Sequence, residues 1–501
     1  MPTPTSRASS VGLLGRVYAA SLAGADWLHG HRLVTAAIGA PLLLLALGAV
    51  HHGVLLGFPN SGDEYVYLYQ ARMFAGGEVS HAAVGAPELF RFNYIATEAG
   101  RSFGTFPPGW PLALALAIAA GVPAGLVNPG LGVLTLALVW ALGARLYTPR
   151  VGVLAAALVG VSPFFIFNAA SFFSHTFCGV LLLAAAWVAA RDDRSPWWVP
   201  VSVGALVGWA VLARYLTGVV GAVPIVWWLL RPGVPRARTL LLVALGGLPW
   251  VALLMAYNLA LSGSPWYLTT TPLTVSRWFA AGSPLRGADI LASHLVRHLL
   301  WTPPVLIVAY GVYLRVAAAP ARRGLFAWLP VLMAAALYFY MERGGNQYGA
   351  RFHYEVFPFL VLFVTAQVFG GDVLAAKTRR DRLAFAALMV SVALMPVALV
   401  VHAGIERRVV RERMDPFTLA GAAGLHGALV LIAGRVGSAR SMAGFDLTRN
   451  DPELRADVIY GLDPGRGARC APAARVAGRV TYLYSWSVAE ARGVLEPLIC
   501  P

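Results

Sequence analysis

The chain has 501 residues, of which 58% are hydrophobic and only 12% charged, and its mean hydropathy is +0.66. Soluble globular domains carry about 25% charged residues and disordered chains need low hydrophobicity with high net charge, so both are excluded. The 52 glycines and 33 prolines would break a long heptad pattern, and the net charge of +16 is dispersed between apolar runs, which argues against nucleic acid as a partner. An integral membrane protein remains.

In chain order, the first apolar run covers about Leu33 to Leu56, behind Arg7, Arg16 and Arg32. Positive charge on that side places the N-terminus in the cytoplasm. The run exceeds a usual signal-peptide core and reads as an uncleaved anchor. Further runs lie at about Gly130 to Leu146, Val151 to Phe167, Thr176 to Ala190, Trp197 to Ala213, Thr217 to Leu230 and Thr239 to Tyr257. Four more follow at Leu299 to Leu314, Leu325 to Tyr340, Glu355 to Phe369 and Leu383 to Val401. The total is about eleven spans. Alternation then puts five basic groups inside: Arg145 with Arg150, Arg191 with Arg194, Arg231 with Arg236 and Arg238, Arg315 with Arg322 and Arg323, and Lys377 with Arg379, Arg380 and Arg382. The pattern requires the proline-interrupted stretch Trp110 to Val127 to lie on or dip into the outer face.

This alternation leaves 57–129, 259–297 and the tail after His402 outside. The expected architecture is an α-helical polytopic membrane domain over 1–401 and a small extracytoplasmic α/β domain over 402–501. Strand-like runs at Ala428 to Ile432, Val458 to Tyr460 and Val480 to Tyr484 support the second domain. Arg407, Arg408, Arg411 and Arg413 oppose an outside tail, since the charge rule prefers them inside. Cys470 and Cys500 share that tail, where an oxidising compartment favours a disulfide; two unpaired thiols are the other reading. Cys178 lies within a span and is expected to be free. The sequence contains neither a CxxC pair nor a GxSxG elbow.

Asp63 and Glu64 stand where the chain leaves the first span, followed by Tyr65, Tyr67 and Tyr69 on an interfacial helix. A carboxylate there can deprotonate a hydroxyl or bind a divalent cation; equally, acidic residues are favoured in the first turn of a helix. The segment later carries Phe103-Gly104-Thr105-Phe106-Pro107-Pro108-Gly109-Trp110-Pro111, an extended approach to the next helix. Near the outer end of a late span lies Tyr348-Gly349-Ala350-Arg351-Phe352-His353-Tyr354-Glu355-Val356-Phe357-Pro358. Arg351 can grip a phosphate bidentately or snorkel to headgroups. Arg214 sits at a similar depth. His353, Glu355, Glu342 and Arg343 flank the same junction, as acceptor and phosphate contacts or as an ion-pair network.

These motifs, with Tyr257-Asn258 and Gly263-Ser264-Pro265, resemble the GT-C superfamily. Its members are membrane glycosyltransferases that take sugars from polyprenyl phosphates, among them protein O-mannosyltransferases and lipid A aminoarabinose transferases. The resemblance covers about residues 33 to 370. It implies a GT-C-like fold, with Asp63 as catalytic base or metal-linked carboxylate, Glu64 as its neighbour, and Arg351, Arg214 and His353 at the donor phosphate. Where family members often carry a second acidic residue, this chain has Ser171-Phe172-Phe173-Ser174-His175-Thr176. His175 can replace it as metal ligand, phosphate partner or proton relay, so a divalent cation, Mg2+ or Mn2+, at Asp63 and His175 stays open. The implied donor is a polyprenyl-phosphate sugar and the acceptor a glycan, lipid or protein. The implied location is the bacterial inner membrane, in contact with membrane lipids, with the active site facing outside. A transporter or lipid flippase, or a non-catalytic glycan-assembly subunit, are the competing readings.

Overall fold

The computed structural model describes residues 12–83, 85–191, 196–267, 284–302, 328–340, 347–373, 377–436, 442–476 and 478–499. Its first helix, α1 (Leu13–Gly30), precedes the first apolar run and has no counterpart among the expected spans. Tyr18, Leu22 and Ala25 recur at helical spacing on its buried face. The Tyr18 hydroxyl donates to Gly371 O at 2.6 Å, fixing α1 to a segment 353 residues later. The anchor follows as α2 (Arg32–Ala49), extended by a π-type turn, Val50–Val54. α3 (Gly62–Ala75) then opens the first long connection. After it come β1 (His81–Ala82), β2 (Ile95–Glu98) and β3 (Arg101–Gly104), a small antiparallel sheet in the order β1-β3-β2. The stretch from Trp110 does not continue as a span: α4 (Gly109–Ala119) ends before Gly121, and α5 (Ala124–Leu146) begins after Pro123.

α6 (Pro149–Gly160) and α7 (Pro163–Ala170) divide the expected span Val151 to Phe167 into two helices. They are bent by 69°, because Pro163 removes a helical N–H and starts a new helix. α6 approaches α5 at glycine: a Cβ on Gly143 would lie 2.6 Å from Gly152 Cα, so only small residues permit this crossing. α8 (His175–Ala189), α9 (Trp198–Ala213), α10 (Tyr215–Leu229) and α11 (Arg236–Ser262) follow. Next are α12 (Pro284–Trp301), α13 (Trp328–Tyr340), a short 3-10 turn (Arg351–Val356), α14 (Phe357–Phe369) and the long α15 (Arg379–Ala422).

Among the described residues five helices are long and apolar enough to cross a membrane, or six if the bent pair forms one span. The expected eleven differ mainly through helix length, since α8, α9, α10 and Trp328–Leu337 are apolar but shorter than a full span. Most of the expected span Leu299 to Leu314 lies outside the described residues.

The expected domain boundary at 402 falls inside α15, which carries Arg407, Arg408, Arg411 and Arg413 on to Ala422. Beyond it lie β4 (Ala428–Ile432), β5 (Arg435–Val436), β6 (Met442–Ala443), β7 (Val458–Leu462), α16 (Cys470–Ala474), β8 (Val480–Ser487) and β9 (Arg492–Pro497). The main sheet runs β7-β4-β8-β9, with β4 parallel to both neighbours and β8–β9 an antiparallel pair. β4 is buried throughout, as its unbroken Ala-Leu-Val-Leu-Ile run requires. Val430 and Ile432 pack with Ala420 at the end of α15. Leu429 and Leu431 pack with Ala86 and Leu89 of the first long connection. The period of two thus splices the C-terminal sheet between two parts of the preceding chain. Cys470 is disulfide-bonded and Cys178 is a free, buried thiol; Cys500 lies outside the described residues.

Candidate active site

The two acidic neighbours at the start of α3 do different work. Ser61 caps the helix, with Glu64 N donating to Ser61 Oγ at 3.2 Å and Ser61 N donating to Glu64 Oε2 at 3.0 Å. The other oxygen, Oε1, accepts from Phe172 N at 2.9 Å, so both Glu64 oxygens hold backbone. Burial pushes this carboxyl up to about 7, against the pull of the Phe172 N–H and the charge of Arg351. Asp63, one residue earlier, faces elsewhere: its Oδ2 accepts from Arg351 Nη2 at 2.5 Å.

Arg351 reaches Asp63 because of the turn before it. Tyr348 has φ +57° and Gly349 φ +93°, and a Cβ on Gly349 would come within 2.7 Å of the Phe164 ring. Glycine is needed there for conformation and for space. The chain then enters the 3-10 turn, and Pro358 in the first turn of α14 continues it as a helix. Arg351 lies over the Phe173 ring at 4.2 Å, which confines its guanidinium.

Residues 171–174 form the floor beneath these groups. Asn128 Nδ2 donates to Ser171 O and Phe173 O at 2.7 and 2.8 Å. Trp110 Nε1 donates to Phe172 O at 2.9 Å, so the helix behind the Pro-Pro motif also supports this loop. Ser174 Oγ accepts from Arg214 Nη1 at 3.1 Å and meets the Tyr67 hydroxyl at 3.0 Å. Arg214 Nε pairs with Glu355 Oε1 at 2.8 Å, and His175 Nδ1 lies 3.0 Å from the same oxygen. Glu355 is fully buried and is the centre of this network. Phe352 lies between the guanidinium groups, 5.9 Å from that of Arg214 and 5.7 Å from that of Arg351. Asp63, Arg351, Arg214 and His175 are thus gathered around one loop.

His353 stands apart from that loop, with Nε2 3.4 Å from His294 Nδ1 and its ring 4.9 Å from His298. Glu342 and Arg343 lie outside the described residues. The C-terminal unit adds a residue the sequence motifs did not single out. Arg449 donates through Nη1 to Pro59 O and lies over the Phe58 ring at 4.4 Å, while the Tyr65 hydroxyl donates to Asn450 O at 2.5 Å. Burial brings the Arg449 guanidinium down to about 9. No local pattern in the sequence marks Arg449, whose contact with Pro59 spans 390 residues.

The metal expectation does not fit these side chains. Among the described residues, Asp63 and His175 do not fall in a group of three metal-ligating side chains close enough to share an ion; such a group lies elsewhere, at Glu78, His81 and Glu453.

Residues 107–260 match the family model described as dolichyl-phosphate-mannose-protein mannosyltransferase. No curated protein matches the chain. Among solved structures it is similar to ArnT from Cupriavidus metallidurans bound to undecaprenyl phosphate, with 13% identity and a TM-score of 0.51 over 91% of this chain and 98% of that one. The apo form of ArnT gives 14% identity and a TM-score of 0.50 over 92% and 98%. The archaeal oligosaccharyltransferase AglB from Archaeoglobus fulgidus gives 14% and 0.45 over 76% and 56%. The fold is similar to that of ArnT.

Proposed function

We propose that this protein is a multi-pass membrane glycosyltransferase that moves a sugar from a polyprenyl phosphate to a hydroxyl acceptor, a glycan, lipid or protein, at the outer face of the inner membrane. The observation that carries this reading is the part-buried Asp63–Arg351 contact, which joins a carboxylate and a guanidinium 288 residues apart. Arg351 neutralises Asp63 in the resting protein. A donor phosphate competes for the guanidinium and releases the carboxylate, coupling donor binding to activation of the base.

Asp63 then takes the proton of the acceptor hydroxyl as its oxygen attacks the anomeric carbon. The bond from that carbon to the phosphate oxygen breaks, its electron pair leaves with the polyprenyl phosphate, and the configuration inverts. Arg351 and Arg214 hold the departing phosphate, while Glu355 and Phe173 fix the two guanidinium groups. Glu64 acts as a positioning residue by holding Phe172. The ArnT-like fold supports a lipid carrier, since that relative binds undecaprenyl phosphate. No step is assigned to a divalent cation.

The bent pair α6–α7 favours a transporter, because transporters use broken helices. Its break carries Ser162 and Pro163 rather than a charged group, and the clustered charges lie at Asp63 instead. The test is transfer by the purified protein in detergent, where no gradient exists. Labelled sugar should leave the polyprenyl-phosphate donor with wild-type protein and remain with Asp63→Asn. Donor that stays intact with the wild type and every acceptor class would favour transport.

A further inference from the structure

The small sheet of the first long connection and the C-terminal unit meet at side chains that sugar transfer does not use. Glu78, His81 and Glu453 each offer one ligand atom there, and those atoms lie within 4.8 Å of one another. His81 opens β1, and its Nδ1 lies 2.8 Å from Glu78 Oε2. Its side chain is only 10% exposed, and Nδ1 is the ring nitrogen that faces Glu78, so an ion shared with that carboxylate binds there.

Glu453 comes from the other side of the junction. Its loop is held by Asp451, whose carboxylate accepts from Arg455 N at 2.8 Å and Ala456 N at 3.0 Å. Glu453 Oε2 pairs with Arg455 Nε at 2.5 Å, and that arginine is itself largely exposed. Two carboxylates and an imidazole therefore converge, with Arg455 on one of the carboxylates. We propose that this trio binds a divalent transition-metal ion, zinc in the first instance, and pins the C-terminal unit to the first long connection. One nitrogen and two carboxylate oxygens suit zinc, whereas calcium takes oxygen ligands alone. The ion is structural: it secures the unit that brings Arg449 to Pro59, and it touches none of the groups assigned to transfer.

The test uses the full chain in detergent after chelation, titrated with Zn2+ against a chromophoric chelator. Wild type should bind one ion, and His81→Ala and Glu453→Gln should each weaken binding at least about tenfold. His298→Ala, in the separate histidine cluster, should leave affinity unchanged. Saturating Zn2+ should also slow proteolysis of the C-terminal unit in wild type and not in Glu453→Gln. If His81→Ala does not fold, the exposed Glu453 substitution carries the test alone. No zinc binding by wild type, affinity unaltered by Glu453→Gln, or binding lost in His298→Ala and kept in Glu453→Gln would each overturn the assignment.

Discussion

At the residue scale, three carboxylates near the site divide the labour. Asp63 is paired with a cation it can exchange for a phosphate, Glu64 holds two segments of backbone, and Glu355 anchors Arg214 and His175. Arg351→Lys keeps a positive charge but loses the planar fork, so transfer should fall roughly 10²-fold with the fold intact. Transfer rates of purified variants check this, and an unaffected lysine variant would mean that charge alone suffices. Glu64 gives a pH prediction. Its carboxyl is raised from 4.5 in the unfolded chain to about 7 in the folded one. The folded state therefore binds the extra proton, and the stability this contributes is present below pH 4.5 and lost as pH rises through about 7. Thermal unfolding of Glu64→Gln against wild type should shift in favour of the variant between pH 5 and pH 8. A difference that does not vary with pH would show that Glu64 does not titrate in this window. Asp63 and Arg351 were both legible in the sequence, as an acidic start to an interfacial helix and as an arginine near a span end. Their pairing was not, because a contact across 288 residues leaves no local pattern.

At the scale of single elements, the turn at Tyr348–Gly349 decides where Arg351 goes. Gly349→Ala adds a Cβ that meets Phe164 at 2.7 Å, on a backbone with φ +93°. The cost should be about 1–3 kcal/mol of stability, with a loss of transfer larger than that of an alanine at nearby exposed positions. Melting temperature and transfer rate measured together check this, and a variant normal in both would remove the turn from the account. The long apolar helices were readable because about twenty consecutive apolar residues have few alternative fates. The break at Ser162–Pro163 was visible as a proline, yet hydropathy averages across it and read α6 and α7 as one span. β1, β2 and β3 are two to four residues long and too short to show alternation. α1 was missed because its buried face is narrow and its other face mixes apolar and polar residues.

At the scale of the whole molecule, the C-terminal sheet and the first long connection form one structure beside the candidate active site. Its strands were readable from β-branched runs, but docking through Leu89, Arg449 and Asn450 depends on shape and not on any motif. The proposed topology places both parts outside. Reporter fusions at Asp193 and Asp451 should label opposite sides of the membrane, and labelling on one side would contradict it. Peptide mapping under non-reducing conditions should join Cys470 to Cys500, as the proposed oxidising location requires, and a peptide pairing Cys470 with any other thiol would refute that bond. The most direct measurement is mass spectrometry of envelope glycans, glycolipids and glycoproteins from a deletion strain carrying either wild type or Asp63→Asn at equal membrane levels. The account predicts that a sugar modification disappears on deletion, returns with wild type and stays absent, or falls by about a hundredfold or more, with Asp63→Asn. Full restoration by Asp63→Asn would contradict it.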